Sequence, residues 1–290
     1  MSRQGKYIGI HRQQLFHWIG PEIDRSSGFS GSLSDLARSR YLECLRGTLE
    51  DGLWVKAPRE PELIRHAGKE LSLDRPIVCF TEWSVGESLS HTRRYGRLGL
   101  GFSKSWVLER GGQPVTYYRH AKGSFFLRAL VRIWRSLEEQ SCADEFRYLM
   151  HFTKRVHKPN PSRDQPRKKA VRRVTPPSPV RQPVASDPFV RKYGKTMPYL
   201  EEREWRIVAH PHLDRPSGRE DEHWVRNPKS PGRLPPFFLK YAAGRELFTL
   251  VLPDNQAVSQ VLGDSWFTGQ LFPKRNPHVT VLSLQDIGTF

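Results

Sequence analysis

An α+β fold, one domain built on a mixed or antiparallel sheet with flanking helices, is predicted by three features of the sequence. Segments of strand-like composition and segments of helical periodicity are mixed without strict alternation, which argues against a doubly wound parallel sheet. Both kinds lie on either side of one long stretch, residues 154–195, whose composition cannot build a core. The chain also holds enough apolar material for one substantial core, with 37% hydrophobic residues and 8 Trp, 15 Phe and 9 Tyr among 290 residues.

The elements follow in chain order. LFHWIG (15–20) is a short aromatic segment. In SLSDLARSRYLECLRGTLEDGL, Leu42, Leu45 and Leu49 recur at helical spacing, with Ser34 as a cap and Gly52 as a stop, so an amphipathic helix is expected there. PIVCFTE (76–82) and RLGLGF (97–102) are apolar runs bounded by turn residues, and PVTYY (114–118) follows the Gly111-Gly112 turn; they read as three successive strands. From Ser124, the residues Phe126, Leu130, Ile133, Trp134 and Leu137 predict a long helix ending by about Lys154. REWRIVAH (203–210), LFTLVLP (247–253) and VTVLSL (279–284) read as strands, with AVSQVLG a short helix between the last two.

Residues 154–195 contain 13 Lys or Arg against only Asp164 and Asp187, so they carry +11 of the chain's formal +17. Eight prolines between Pro159 and Pro188 add to the expectation of an extended, solvated, disordered insertion. The reading is one discontinuous globular domain, 1–153 with 196–290, and its alternative is a linker between two domains. Because the excess charge is concentrated in the insertion, it does not argue for nucleic-acid binding by the folded part. No apolar run approaches the roughly 18 residues of a membrane span, and the N-terminus lacks the apolar stretch of a secretion signal, so a cytoplasmic location is expected. Cys44, Cys79 and Cys142 are distant from one another and read as buried, reduced thiols.

Several chemistries lack their residues. Gly96, Gly99 and Gly101 are followed by no Gly-Lys-Ser/Thr, no His-Glu-x-x-His or Gly-x-Ser-x-Gly is present, and Cys142, His151 and His157 lack zinc-ligand spacing. No metal is expected. In EEREWRIV, period-two alternation puts Glu202, Glu204, Arg206 and Val208 on one face. Glu204 at a strand entrance reads either as a partly desolvated carboxylate with tuned acidity or as one half of an Arg–Glu pair at a sheet edge. His17, between Phe16 and Trp18, reads as a structural imidazole with a partner. His91 and Tyr95, with Arg93 and Arg94, suit a solvated turn or a loop that presents cations to phosphate.

Taken in order, LFHWIG, LRGTLEDGLW, VCFTEW, SHTRRYGRLGLGFSKSW, GGQPVTYY, EEREWRIV, FTLVLPD and VTVLSLQDI resemble the AbiGi-type family of abortive phage-resistance antitoxins. That resemblance implies a component of a toxin–antitoxin defence system, a regulator that binds a partner toxin or nucleic acid. Phosphate contacts would then fall to Arg167, Lys168, Lys169, Arg172 and Arg173 of the insertion. The same order is also similar to the ADP-ribosyltransferase fold, which implies a split sheet and, as the alternative function, an NAD-dependent mono-ADP-ribosyltransferase acting on a macromolecule. By that resemblance His17 would hold the nicotinamide ribose, Tyr95 would stack on nicotinamide, and Glu204 would orient the reactive ribose. Glu202 would complete a Glu-x-Glu pair, and Tyr117 or Tyr118 could take the place of Tyr95. Such a carboxylate would stabilise positive charge that builds on the sugar. Whether the protein is an enzyme stays open at this point.

Overall fold

The computed structural model describes residues 14–23, 33–57, 62–66, 69–82, 86, 92, 95–119, 125–140, 142–156, 203–209, 224–226, 237–273 and 279–287. The N-terminal half begins with β1 (Gln14–Ile19), α1 (Asp35–Asp51) and β2 (Leu53–Val55). The hairpin β3 (Glu62–His66) and β4 (Lys69–Leu73) follows, then β5 (Ile77–Thr81), β6 (Leu98–Ser103) and α2 (Lys104–Glu109). Next come β7 (Gln113–Pro114), β8 (Thr116–Arg119), α3 (Phe125–Glu139), α4 (Ala143–Met150) and β9 (Thr153–Val156). The C-terminal part comprises β10 (Glu204–Val208), β11 (Trp224–Arg226), β12 (Phe237–Leu239) and β13 (Leu247–Leu252). It ends with α5 (Asn255–Gly263), α6 (Ser265–Leu271), β14 (Thr280–Ser283) and α7 (Leu284–Ile287).

A seven-stranded sheet in the order β14-β13-β6-β1-β5-β10-β7 organises the molecule. Its pairs are antiparallel except β13 with β14, so the sheet is mixed and the class is α+β. Strands from both sides of 157–202 alternate in it: β10 inserts between β5 and β7, and β13 lies against β6. Residues 76–82 and 97–102 are strands but not neighbours, because β1 lies between them. PVTYY divides: β7 pairs with β10, whereas β8 pairs in parallel with β9 in a separate two-stranded sheet.

Period-two burial gives the main sheet two different faces. Leu15 and Ile19 of β1, Val78 and Phe80 of β5, and Trp205 and Ile207 of β10 join the large core against α1, α2, α5 and α6. On the other face Phe16 and Trp18 pack with Val251, Leu284 and Tyr95. The glycines of RLGLGF make room on this second face. A Cβ at Gly99 would come within 2.6 Å of the Trp18 ring, and one at Gly101 within 2.9 Å of the Phe16 ring.

Helix α1 starts where Ser34 accepts from the Ala37 amide and ends at Gly52, as its capping residues predict. The long helix expected after Ser124 is instead two. After α3 the Cys142 amide bonds back to the Leu137 carbonyl, and α4 then returns Phe146 and Met150 to the cluster that holds Trp134. One straight helix could not bring all three side chains to that site. Lys154–Val156, assigned from composition to the insertion, are strand β9; 157–195 lie outside the described residues. All three cysteines are free, and Cys142 is exposed where the sequence suggested burial. Among the described residues no helix is long and apolar enough to cross a membrane.

Candidate functional site

The ladder between β1 and β5 consists of one registered pair, Phe16 opposite Thr81. Continuing that register would set Trp18 opposite Cys79. Instead, the Cys79 carbonyl accepts a hydrogen bond from the His17 ring, with Nδ1 at 2.8 Å. An imidazole nitrogen facing a carbonyl must carry the proton, so His17 is the Nδ1–H tautomer when neutral and its Nε2 is an acceptor. Burial holds its pKa down at about 4, although the hydrogen bond to Cys79 works the other way.

Beside this junction is a cavity of about 280 Å³. Phe16, His17 and Trp18 of β1, Cys79, Phe80 and Thr81 of β5, and Glu204 and Arg206 of β10 line it, and Tyr95 and Lys154 complete the wall. His17, Tyr95 and Glu204, singled out from three distant segments, thus meet at one cavity. Tyr95 is carried there by the turn into β6, where Gly96 has φ +98°. A Cβ on Gly96 would stand 2.1 Å from the Ile19 carbonyl oxygen, so only glycine permits this approach to β1. Tyr117 and Tyr118, the alternatives to Tyr95, do not line the cavity. Glu202 and the insertion residues Arg167, Lys168, Lys169, Arg172 and Arg173 lie outside the described residues.

Glu204 is buried and both its carboxylate oxygens are paired. Arg206 Nε donates to Oε1 at 2.7 Å, and Lys154 Nζ donates to Oε2 at 2.6 Å. Burial alone would raise its pKa; the charges of Arg206 and Lys154 and their hydrogen bonds outweigh that and bring it to about 2. The sheet-edge ion pair considered from sequence is therefore a buried pair on one strand, two residues apart, in the sheet interior. Arg206 is held from behind, since its Nη1 donates to the His151 carbonyl at 2.6 Å and to that of Thr153 at 3.2 Å. Immediately before Glu204, Arg203 has φ +40°, an uncommon value for a residue with a Cβ, and its carbonyl accepts from the Glu82 amide. The Cys79 thiol is pushed up to about 12, first by burial and then by the Glu204 charge, so it is not a nucleophile at neutral pH.

The cavity therefore offers aromatic walls, a neutral imidazole, a permanently ionised carboxylate and two cations. Lys154 is the residue that sequence reasoning missed. It reaches Glu204 only because β9 pairs with β8, and nothing in the basic composition around it announces that pairing. Arg206 could have been found from its place on the Glu204 face. No group of three or more His, Cys, Asp or Glu placed to hold a metal ion occurs among the described residues.

No curated protein and no solved structure matches the chain. A family model does: residues 65–176, from the end of β3 past β9, are similar to the family described as "Putative abortive phage resistance protein AbiGi, antitoxin", which relates this part of the chain to abortive-infection defence.

Proposed function

We propose that the protein works in abortive-infection defence through the β1–β5–β10 cavity, as an NAD-dependent transferase of ADP-ribose to a macromolecular acceptor. The observation that carries this reading is the meeting of His17, Tyr95 and Glu204 at one cavity lined by Phe16 and Trp18. At about 280 Å³ the space is near the lower end of ligand pockets, roughly 300–1,000 Å³, and suits one flat ring with its sugar rather than a whole dinucleotide. Tyr95 and Trp18 offer faces to the nicotinamide ring. NAD supplies the bond that breaks: the electron pair of the nicotinamide–ribose bond leaves on the ring nitrogen, and an acceptor nucleophile bonds to the ribose carbon and gives its proton to solvent. Glu204, ionised at every physiological pH, faces the positive charge that develops on the ribose. Arg206 keeps that carboxylate in place. Lys154 must release Oε2 for it to act, and Lys154, 22% exposed against 10% for Arg206, is the cation that an entering ligand can displace.

A second reading is favoured by the family match and by the double pairing of Glu204, which leaves that carboxylate neutralised: a non-catalytic antitoxin that binds a toxin, or nucleic acid through Arg167, Lys168, Lys169, Arg172 and Arg173. One assay separates the two. Purified protein is incubated with NAD labelled in the adenylate, and released nicotinamide and label on macromolecules are followed. The transferase reading expects turnover that Glu204→Gln lowers by about 100-fold or more. Turnover that is absent, or equal in the wild type and Glu204→Gln, leaves the antitoxin reading.

A further inference from the structure

Helix α3 has two unlike sides. Val131 and Trp134 are buried, and Trp134 belongs to the cluster with Leu71, Phe146 and Met150. On the outward side Arg128, Arg132 and Arg135 are all exposed. They follow the i, i+4, i+7 spacing that sets side chains in one stripe, and with a rise of 1.5 Å per residue that stripe is about 10 Å long. None of the three has an ion pair or hydrogen bond among the described residues. On the same side Phe125, three residues before Arg128, is 78% exposed, and Ile133, 48% exposed, lies about 100° farther round the helix from Arg132. None of these residues lines the cavity.

We propose that this face of α3 is the docking surface for a protein partner that presents carboxylates beside an apolar groove. Three arguments select that occupant. Guanidinium groups are planar forks that match carboxylates two bonds at a time, and three at a fixed spacing on a rigid helix specify a register. Phe125, one turn before Arg128 on the same side, has no use against a phosphate backbone but is what a helix places in a protein groove, with Ile133 at the flank of that face. Finally, α3 lies wholly inside residues 65–176, the part of the chain similar to antitoxins, whereas His17 and Glu204 lie outside it. The surface is separate from the cavity, so it holds whether or not the cavity is catalytic.

The test uses the full chain and a fluorescent 20-residue helical peptide that carries Glu at i, i+4 and i+7 beside a stripe of Leu, followed by anisotropy at physiological salt. The wild type is expected to bind it. Arg128→Glu, Arg132→Glu and Arg135→Glu combined should weaken binding by about tenfold or more and create binding to the same peptide with Lys in place of Glu. Phe125→Ser with Ile133→Ser should weaken the Glu peptide while every charge is kept. Unchanged thermal unfolding of these variants confirms that the buried face of α3 is intact. A 20-base-pair RNA duplex and phosphatidylglycerol vesicles are run beside the peptide. The proposal is overturned if the wild type does not bind the peptide, if the arginine variant binds it equally well, or if the α3 changes weaken duplex or vesicle binding as much as peptide binding. Glu204→Gln, which tests the cavity, should bind the peptide like the wild type.

Discussion

A carboxylate taken out of water costs several kcal/mol unless partners replace its hydration. Glu204 has two such partners, Arg206 and Lys154, and the result is a charge that stays on in the folded state down to about pH 2. His17 is the opposite case, an imidazole whose burial keeps it uncharged until about pH 4. Both shifts act on stability in the same direction. Below its ordinary 6.5 an unfolded His17 takes a proton that the folded one refuses, so stability falls as pH drops from 6.5 to about 4. Glu204 is depressed from 4.5, so what it contributes is present above 4.5 and is lost as pH falls on toward about 2. At about 1.4 kcal/mol per pKa unit, the His17 loss has a ceiling of roughly 3 kcal/mol. His151, also lowered by burial, adds to it. Urea unfolding at pH 7, 5.5 and 4 measures the loss. In His17→Gln, which can still donate to the Cys79 carbonyl but does not titrate, the decline between pH 7 and pH 4 should be visibly shallower. A variant that loses as much stability as the wild type over that range would mean that His17 is not the group that resists protonation.

At the scale of elements, a buried ion pair ties α1, in the N-terminal half, to the start of α5, 216 residues later. Arg38 of α1 donates to the Asp254 carboxylate through Nε at 3.2 and 3.1 Å and through Nη2 at 3.0 Å. Asp254 in turn accepts from the Ala257 amide at 2.7 Å and so caps α5. Arg38→Met would leave that carboxylate buried with its cation gone, at a cost of about 3–5 kcal/mol. Adding Asp254→Asn, which keeps a capping oxygen and removes the charge, should recover a large part of the loss. A cycle of single and double variants measures the coupling, and additive effects would contradict it. Nothing in the sequence marked Arg38 as special, since on a helix an Arg usually reads as solvated. The contrast with Ser34 and Gly52 is instructive. Their roles are local, expressed by backbone groups within four residues, and so the ends of α1 were legible. The same holds for β5, β6, β10 and β13, whose composition announced strands, whereas β1 read only as a short aromatic segment. It fails where the partner is remote: the β8–β9 pairing, the Lys154–Glu204 contact and the fold-back of α4 all depend on residues brought together by tertiary packing. The meeting of His17, Tyr95 and Glu204 was suggested by their order along the chain, and only the insertion of β1 between β5 and β6 makes it a cavity.

For the molecule as a whole, the order β14-β13-β6-β1-β5-β10-β7 has a physical consequence. A chain that ended near residue 156 would leave β5 without β10, exposing the hydrogen-bonding edge along Ile77–Thr81, and would leave β6 without β13. It would also strip the large core of Leu250, Leu252, Ala257, Val261, Phe267 and Leu271, all of which are 0–3% exposed. The C-terminal part alone has β10, β13 and β14 but none of β6, β1 and β5, the strands that join β13 to β10. Neither piece can bury enough apolar surface to offset its own chain entropy, so the two should fold only together. A specific protease site replacing residues 167–173 makes this measurable. After cleavage the two fragments should elute together under native conditions and melt in one cooperative transition close to that of the uncut chain. Each fragment produced separately should show no such transition, and mixing them should restore it. Two fragments that part on the column while each keeps its own melting transition would instead mean two domains joined by a linker, and the one-sheet reading would have to be abandoned.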